Sequence, residues 1–177
     1  MIGDSGTPLA DLASLHDQVT RAFVEWRDDV YRYLLTLGLP PPEAQDATQE
    51  VFLRLYTALR KSGEPVRNQR AWVFRVAHNL GLTLRSQDIA LSPLEPELEA
   101  KLADAQGGPE SSLIEREKLL RMHRAVETLS PQQRQCLHLR AEGLRYQEIA
   151  DTIGVSVSTV SEFLRRALAR LRKAVYE

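Results

Sequence analysis

The stretch Tyr146-Gln-Glu-Ile-Ala150-Asp-Thr-Ile-Gly154-Val-Ser156-Val-Ser-Thr-Val160-Ser-Glu-Phe-Leu-Arg165 decides the fold. A short helix is followed by Gly154, which tolerates positive φ in a tight turn, and then by a second helix that the Ser156 hydroxyl can cap. Ala150 is small where two helices must approach closely, and Ile149, Ile153, Val155, Val160 and Leu164 form a shared core. These requirements coincide in a helix-turn-helix, with an unrelated αα-hairpin as the other reading. At 100° per residue the second helix buries Val157, Val160, Leu164, Leu168 and Leu171 and turns Ser158, Thr159, Glu162, Arg165, Arg166 and Ala169 outward.

An outward face of this composition suits duplex DNA. Arginine can grip guanine O6 and N7, Glu162 can accept from cytosine N4, and serine or threonine can contact phosphate. A basic helix end that balances its own dipole is the simpler account of Arg170, Arg172 and Lys173. It accounts less well for Arg165 and Arg166, which lie on the presented face.

The formal net charge of the 177 residues is only 23 − 24 = −1, which at first argues against a nucleic-acid partner. By segment it is cancellation: 10 − 10 = 0 over residues 1–87, 1 − 6 = −5 over 88–112, and 12 − 8 = +4 over 113–177. The acidic middle segment carries Pro93, Pro96, Pro109 and Gly107-Gly108 with few large apolar residues, so it reads as a flexible linker between two small domains. The first domain has three helical stripes. Val19, Phe23, Trp26, Val30, Leu34 and Leu37 precede Gly38 and Pro40-Pro41-Pro42; Thr48, Val51, Phe52, Leu55 and Leu59 belong to a helix over about 43–60; Val73, Ala77, Leu80 and Leu84 belong to one over about 69–85. The chain is therefore expected to be all-α, a small helical bundle joined to the helix-turn-helix domain.

Two faces of the first domain are not used by these stripes. Asp46, Gln49, Glu50, Leu53 and Thr57, with Glu43 beside them, make either a solvated face or, because Leu53 is apolar among acids, a protein-docking patch. Trp72, Arg75, His78, Asn79 and Leu82 project from the third helix, and Arg67, Asn68, Gln69 and Arg70 precede it. An aromatic ring can stack on an unpaired base, arginine can hold phosphate, and asparagine offers a paired donor and acceptor to a base edge. The competing reading buries Trp72 against a neighbouring helix and leaves the polar residues to solvent.

From about Asp17 onward, the two halves together resemble the bacterial RNA polymerase sigma factors of the extracytoplasmic-function group. The resemblance rests on Glu43-Ala-Gln-Asp46 through Tyr56, Arg70-Ala-Trp through Asn79, Leu129-Ser-Pro-Gln-Gln-Arg134, Glu142-Gly-Leu through Ala150, Ser158-Thr-Val160 and Leu164 through Arg172. It implies that Glu43, Asp46, Gln49, Glu50 and Leu53 dock on the clamp coiled coil of the polymerase β′ subunit, with the β flap as a further contact. It implies that Asn68, Arg70, Trp72, Arg75, His78 and Asn79 hold the −10 element as separated single strand. It also implies that Ser156, Ser158, Thr159, Ser161, Glu162, Arg165 and Arg166 read the −35 element in duplex. An anti-sigma partner, a free monomer and a cytoplasmic location without membrane insertion are further implications, and no cofactor or metal is called for.

The chain departs from the family pattern at three places. Asp-Ala-Glu-Asp is here Glu43-Ala-Gln-Asp46, a common aspartate of the promoter-melting helix is Thr83, and the basic Lys/Arg-Ser-Arg after Thr-Val is Ser161-Glu162-Phe163. The last change removes two cations from the recognition helix and adds an anion, so that Arg165 and Arg166 carry more of the −35 contact. Two other readings compete with a sigma factor: a LuxR-type helix-turn-helix regulator, which leaves the Trp72 face unused and predicts a dimer, and a sigma-like decoy that binds an anti-sigma protein without DNA. An enzyme is not expected, because His16, His78, His123 and His138 lack metal-ligand spacing and no glycine-rich phosphate loop occurs. The single Cys136 lies in an apolar helical stretch as a core residue, and Thr48, beside the acidic stretch, reads as packing or as a phosphorylation switch.

Overall fold

A computed structural model describes residues 9–61, 66–91 and 113–176. Among them the only regular secondary structure is helical: α1 (Leu9–Thr36), α2 (Pro41–Arg60), α3 (Gln69–Leu91), α4 (Leu113–Glu127), α5 (Pro131–Ala141), α6 (Tyr146–Ile153) and α7 (Val157–Tyr176). The all-α expectation holds. The third helix continues to Leu91, into the segment read as linker; the remainder of that segment, 92–112, lies outside the described residues.

Local chemistry sets the helix ends. Gly38 at φ +93° turns the chain out of α1, and Pro41 and Pro42 begin α2 where no backbone N–H is required. The Arg85 guanidinium donates to the Leu37 carbonyl (3.1 Å), satisfying a group that the end of α1 leaves open. In the second half, Ser130 and Gln133 form a reciprocal capping box at α5. Gly154 at φ +72° ends α6, and the Ser156 hydroxyl accepts from the Thr159 amide (3.1 Å) at the head of α7, as the glycine and serine positions predict.

In the first half α1, α2 and α3 pack mutually around Val30, Leu34, Val51, Leu55, Val73 and Ala77. In the second, α4, α5 and α6 all pack on α7. Ile149, Val160 and Leu164 are fully buried there, as expected, and Ile153 and Val155 are half-buried. Two wheel positions need correction: Val157 is 38% and Leu168 50% exposed. The fully buried Ala167 takes the inward position that Leu168 was assigned, because α7 meets three helices from different sides rather than one.

Gly81 marks where α3 crosses the end of α1. A Cβ there would lie 2.6 Å from Leu37 Cδ1 and 3.1 Å from Leu34 Cδ2, both side chains being buried. Gly81→Ala gains about 1 kcal/mol of helix propensity but overpacks this crossing by about 1–3 kcal/mol. A net loss of about 1 kcal/mol is expected, read as a Tm drop of about 2–4 °C in thermal unfolding.

The halves are not separate bodies. α3 packs on α6 and α1 on α5, and one apolar cluster runs from Tyr33 and Phe74 to Leu139, Leu144 and Ile149.

Candidate functional site

On α2, Asp46, Gln49 and Leu53 are exposed and Glu43 and Glu50 half-exposed, on one side of the helix. Leu53, 62% exposed, stands on the rim of a groove between α1 and α2 walled by Val19, Phe23, Phe52 and Tyr56. The groove was not anticipated: the sequence shows one exposed leucine, but the partly open Phe23–Phe52 edge pair beside it (5.1 Å between centroids) requires both helices. Arg54 pairs with Glu50 at 2.8 Å, which further reduces the acidity of this face. Thr48 is buried and its hydroxyl donates to the Ala44 carbonyl (2.7 Å), so it packs the helix interior.

The start of α3 differs more from expectation. Asn79 and Arg75 are exposed and Trp72 is half-buried against the core. His78 requires correction: it is only 4% exposed, and its Nδ1 is hydrogen-bonded to the Tyr33 hydroxyl (2.9 Å). The wheel placed it outward because its buried partner is 45 residues away on α1. Asn68 is also a helix cap, its Oδ1 accepting from the Ala71 amide at 3.1 Å.

Arg70 lies over the Trp26 and Phe74 rings (5.6 Å each) and is shared by two carboxylates. It donates to Asp29 Oδ2 (3.0 Å) on α1, and to Glu142 Oε2 (2.5 Å) and the Glu142 carbonyl (2.9 Å) after α5. Burial opposes ionisation of Asp29, but hydrogen bonds from Arg70 and Arg32 hold its carboxyl below the usual range. Burial and the neighbouring Asp29 charge push the Glu142 carboxyl up.

Beside this cluster sits His138. Its ring faces Tyr33 at 5.2 Å, its Nδ1 is 3.3 Å from the Thr36 hydroxyl, and its Nε2 is 3.6 Å from Glu142 on its own side. Burial, assisted by the Arg32 charge, lowers its pKa to about 4. Folding therefore excludes a proton that the unfolded chain binds below about pH 6.5, so this contribution is complete above pH 6.5 and is lost as pH falls toward 4. Asp29 acts in the same direction at lower pH and Glu142 in the opposite one. The buried His78, whose pKa burial also lowers, acts in the same window, so urea unfolding should show stability falling between pH 7 and 5, and His138→Gln should make that fall shallower without removing it. An equally steep profile in the variant would exclude His138 as its source.

On α7, Ser158, Ser161, Arg165 and Arg166 are exposed and Thr159 and Glu162 half-exposed, so the outward face is open. The two arginines are not free. Arg165 makes a two-pronged pair with Glu162 (2.8 Å each), and Arg166 Nε donates to Glu162 Oε1 at 2.5 Å. Hydrogen bonds from Arg165 and then Arg166 pull the Glu162 carboxyl down to about 2, so it stays an anion. Cys136 is fully buried, which pushes its thiol up to about 11 and keeps it unreactive at neutral pH. No helix among the described residues is long and apolar enough to cross a membrane.

The three-helix first half and the helix-turn-helix second half each match a region of one known family. Sigma-70 region 2 matches residues 22–87, and Sigma-70, region 4 matches residues 119–171. The ECF RNA polymerase sigma factor BldN of Streptomyces coelicolor is 31% identical over 162 residues, covering 89% of this chain and 60% of that protein. The ECF sigma factor SigE of Mycolicibacterium smegmatis is 30% identical over 148 residues, covering 82% and 56%. The chain thus spans less than two thirds of the length of these two relatives. The fold is similar to that of the sigma factor RpoE from Bartonella quintana, solved with the anti-sigma factor NepR, at TM-score 0.62, 21% identity and 88% and 95% coverage. It is similar also to CnrH, solved with the cytosolic domain of CnrY, at TM-score 0.57, 21% identity and 89% and 87% coverage. The chain belongs to the sigma-70 family, whose regions 2 and 4 it carries in order, and is similar to members of its extracytoplasmic-function group.

Proposed function

We propose that this protein binds core RNA polymerase in the cytoplasm and directs promoter-specific initiation, the phosphoryl transfer remaining the polymerase's own. The observation that carries this reading is the presence of both sigma-70 regions, in order, on one chain. A LuxR-type regulator accounts for the second region and leaves the first without a use. In this reading the α2 face with Glu43, Asp46, Gln49, Glu50 and Leu53 docks on the β′ coiled coil and α7 approaches the β flap and the −35 duplex. Asn68, Arg70, Trp72, Arg75 and Asn79 hold the −10 strand; His78 supports that face from inside through Tyr33. The fold neighbour solved with the anti-sigma factor NepR supports an anti-sigma partner here too. Transcription in vitro with core polymerase on a promoter library tests the reading. Initiation at a defined −35/−10 pair is expected, and no initiation above core alone rejects it.

Glu162 sets the strength of the duplex contact in this reading. An anion on this face repels a nearby phosphate even in water, an effect of about fivefold in affinity. Glu162→Gln removes that repulsion and releases Arg165 and Arg166, so affinity for duplex DNA at 0.1 M salt should rise about fivefold. The salt slope should steepen by about 0.9 for each phosphate gained. An unchanged slope would mean that the arginines already reach phosphate while paired.

A further inference from the structure

The polar side chains on the outward face of α7 are satisfied in two different ways. At the head of the helix the hydroxyls turn on one another: Ser156 Oγ lies 2.8 Å from both Ser158 Oγ and Thr159 Oγ1 while it caps the helix. One turn further on, Glu162 accepts from Arg165 Nε at Oε2, and from Arg165 Nη2 and Arg166 Nε at Oε1. A carboxylate has about four acceptor sites, so one stays open on Oε2. Arg166 engages Glu162 through Nε alone, which leaves both of its Nη groups to other partners. The Glu162 side chain is 38% and that of Arg166 60% exposed, so the open acceptor and the open donors are both reachable from solvent.

The carboxylate is thus fixed at the second turn of α7, and in a helix-turn-helix the N-terminal part of the second helix is what meets base edges. The same arginines keep it ionised, so it can accept and never donate. In the major groove only cytosine N4 and adenine N6 present a donor. An A·T pair flanks that donor with single acceptors, adenine N7 on one side and thymine O4 on the other, which gives a guanidinium no two-pronged grip. A C·G pair places cytosine N4 next to guanine O6 and N7. That row of one donor and two acceptors is the complement of a carboxylate followed by the two Nη groups of an arginine.

We propose that Glu162 and Arg166 read one C·G pair of the −35 duplex as a unit, Glu162 accepting from cytosine N4 and Arg166 donating to O6 and N7 of the paired guanine, while Arg165 holds the carboxylate in place. The cations of α7 then supply attraction and its one anion supplies choice. On an arbitrary duplex Glu162 only repels phosphate; on a duplex with the right pair its open acceptor gains a donor and Arg166 gains its fork. The pairing within the helix sets both side chains in position before DNA arrives, which lowers the ordering cost of the contact. The inference rests on the assignment of α7 to the −35 duplex, and its test separates the two.

The full chain and its variants, none of whose replaced side chains is buried, select from a duplex pool randomised over one helical turn, and the bound fraction is sequenced. The wild type should prefer C·G at one position by about tenfold or more over any other pair. Glu162→Ala should lose that preference at that position alone, and Glu162→Gln should move it to A·T, since an amide matches adenine N6 and N7 together. Arg166→Lys, which keeps the charge but not the fork, should weaken the preference at the same position. Arg165→Ala should weaken it there too, and Arg165→Lys, which can still pair with Glu162, should restore part of it. A wild-type pool with no preferred C·G pair, a preference that survives Glu162→Ala, or effects of Glu162 and Arg166 at different positions overturns the inference. Initiation by core polymerase on promoters carrying the same pool tests the −35 assignment separately. Initiation that depends on the randomised turn but shows the same base choice in Glu162→Ala overturns the shared pair alone, and initiation indifferent to the whole turn overturns the assignment with it.

Discussion

Tyr33→Ala should cost about 3–5 kcal/mol of stability, the range for removing a large buried aromatic side chain, and should be the most damaging single truncation in the first half. Tyr33 is fully buried, with Phe74 edge-on at 5.6 Å, His78 stacked at 6.2 Å and His138 at 5.2 Å. Alanine there leaves a cavity against three rings and strands the buried His78 Nδ1 that the hydroxyl had satisfied. Tyr33→Phe separates the two effects: it keeps the ring and loses only the hydrogen bond, for about 1–3 kcal/mol. Domains of this kind have about 5–15 kcal/mol in all, so the alanine protein should be largely unfolded at moderate urea concentrations where the phenylalanine protein is still folded. Circular dichroism through a urea titration reads both. A loss below about 1 kcal/mol for Tyr33→Ala would mean that the side chain is not the packing centre described here.

The helix-turn-helix was legible because its geometry demands particular residues at fixed offsets. Gly154 is left-handed, Ser156 caps α7 and Ala150 is buried at the α6 crossing, and none of these depends on distant partners. The helices of the first half were legible from periodicity, but their sidedness was only partly so. His78, polar on a face where neighbours were solvated, became a core residue because Tyr33 supplies the partner it needs. Gly81 carried no sequence signal beyond a helix-propensity cost, yet it is the point where Leu34 and Leu37 press on α3.

What the sequence could not show is the meeting of the halves. Arg70 reads as a strand-binding cation from its position alone, and Glu142 and Glu148 read as ordinary surface acids. Only the fold places Arg70 between Asp29 and Glu142 and Glu148 against Asn68. The same holds on α7, where segment charge counts Arg165 and Arg166 as available although Glu162 holds both. A net charge per segment measures long-range attraction to DNA. Which cation reaches a phosphate is decided by the local pairing of each side chain.

Leu53→Asp should abolish transcription by lowering affinity for core polymerase at least 100-fold while leaving the fold intact. Leu53 is 62% exposed, so its replacement removes little burial from the free protein and should change stability by no more than about 0.5 kcal/mol. In the proposed docking, the same position, on the edge of the groove with Val19, Phe23, Phe52 and Tyr56, is withdrawn from water. Losing an apolar anchor at the centre of an interface costs about 2 kcal/mol or more, and a carboxylate buried there without a partner adds to that cost. The sum exceeds the 2.8 kcal/mol that corresponds to a factor of about 100. Charge reversal at Asp46, at the exposed rim, should act more weakly and mainly on the association rate, with a salt dependence that Leu53→Asp lacks. Anisotropy of labelled protein with core polymerase measures both affinities, and duplex binding through α7 in the absence of core should be unchanged in both variants. A Leu53→Asp protein that binds core normally and still initiates would place the docking surface elsewhere than α2.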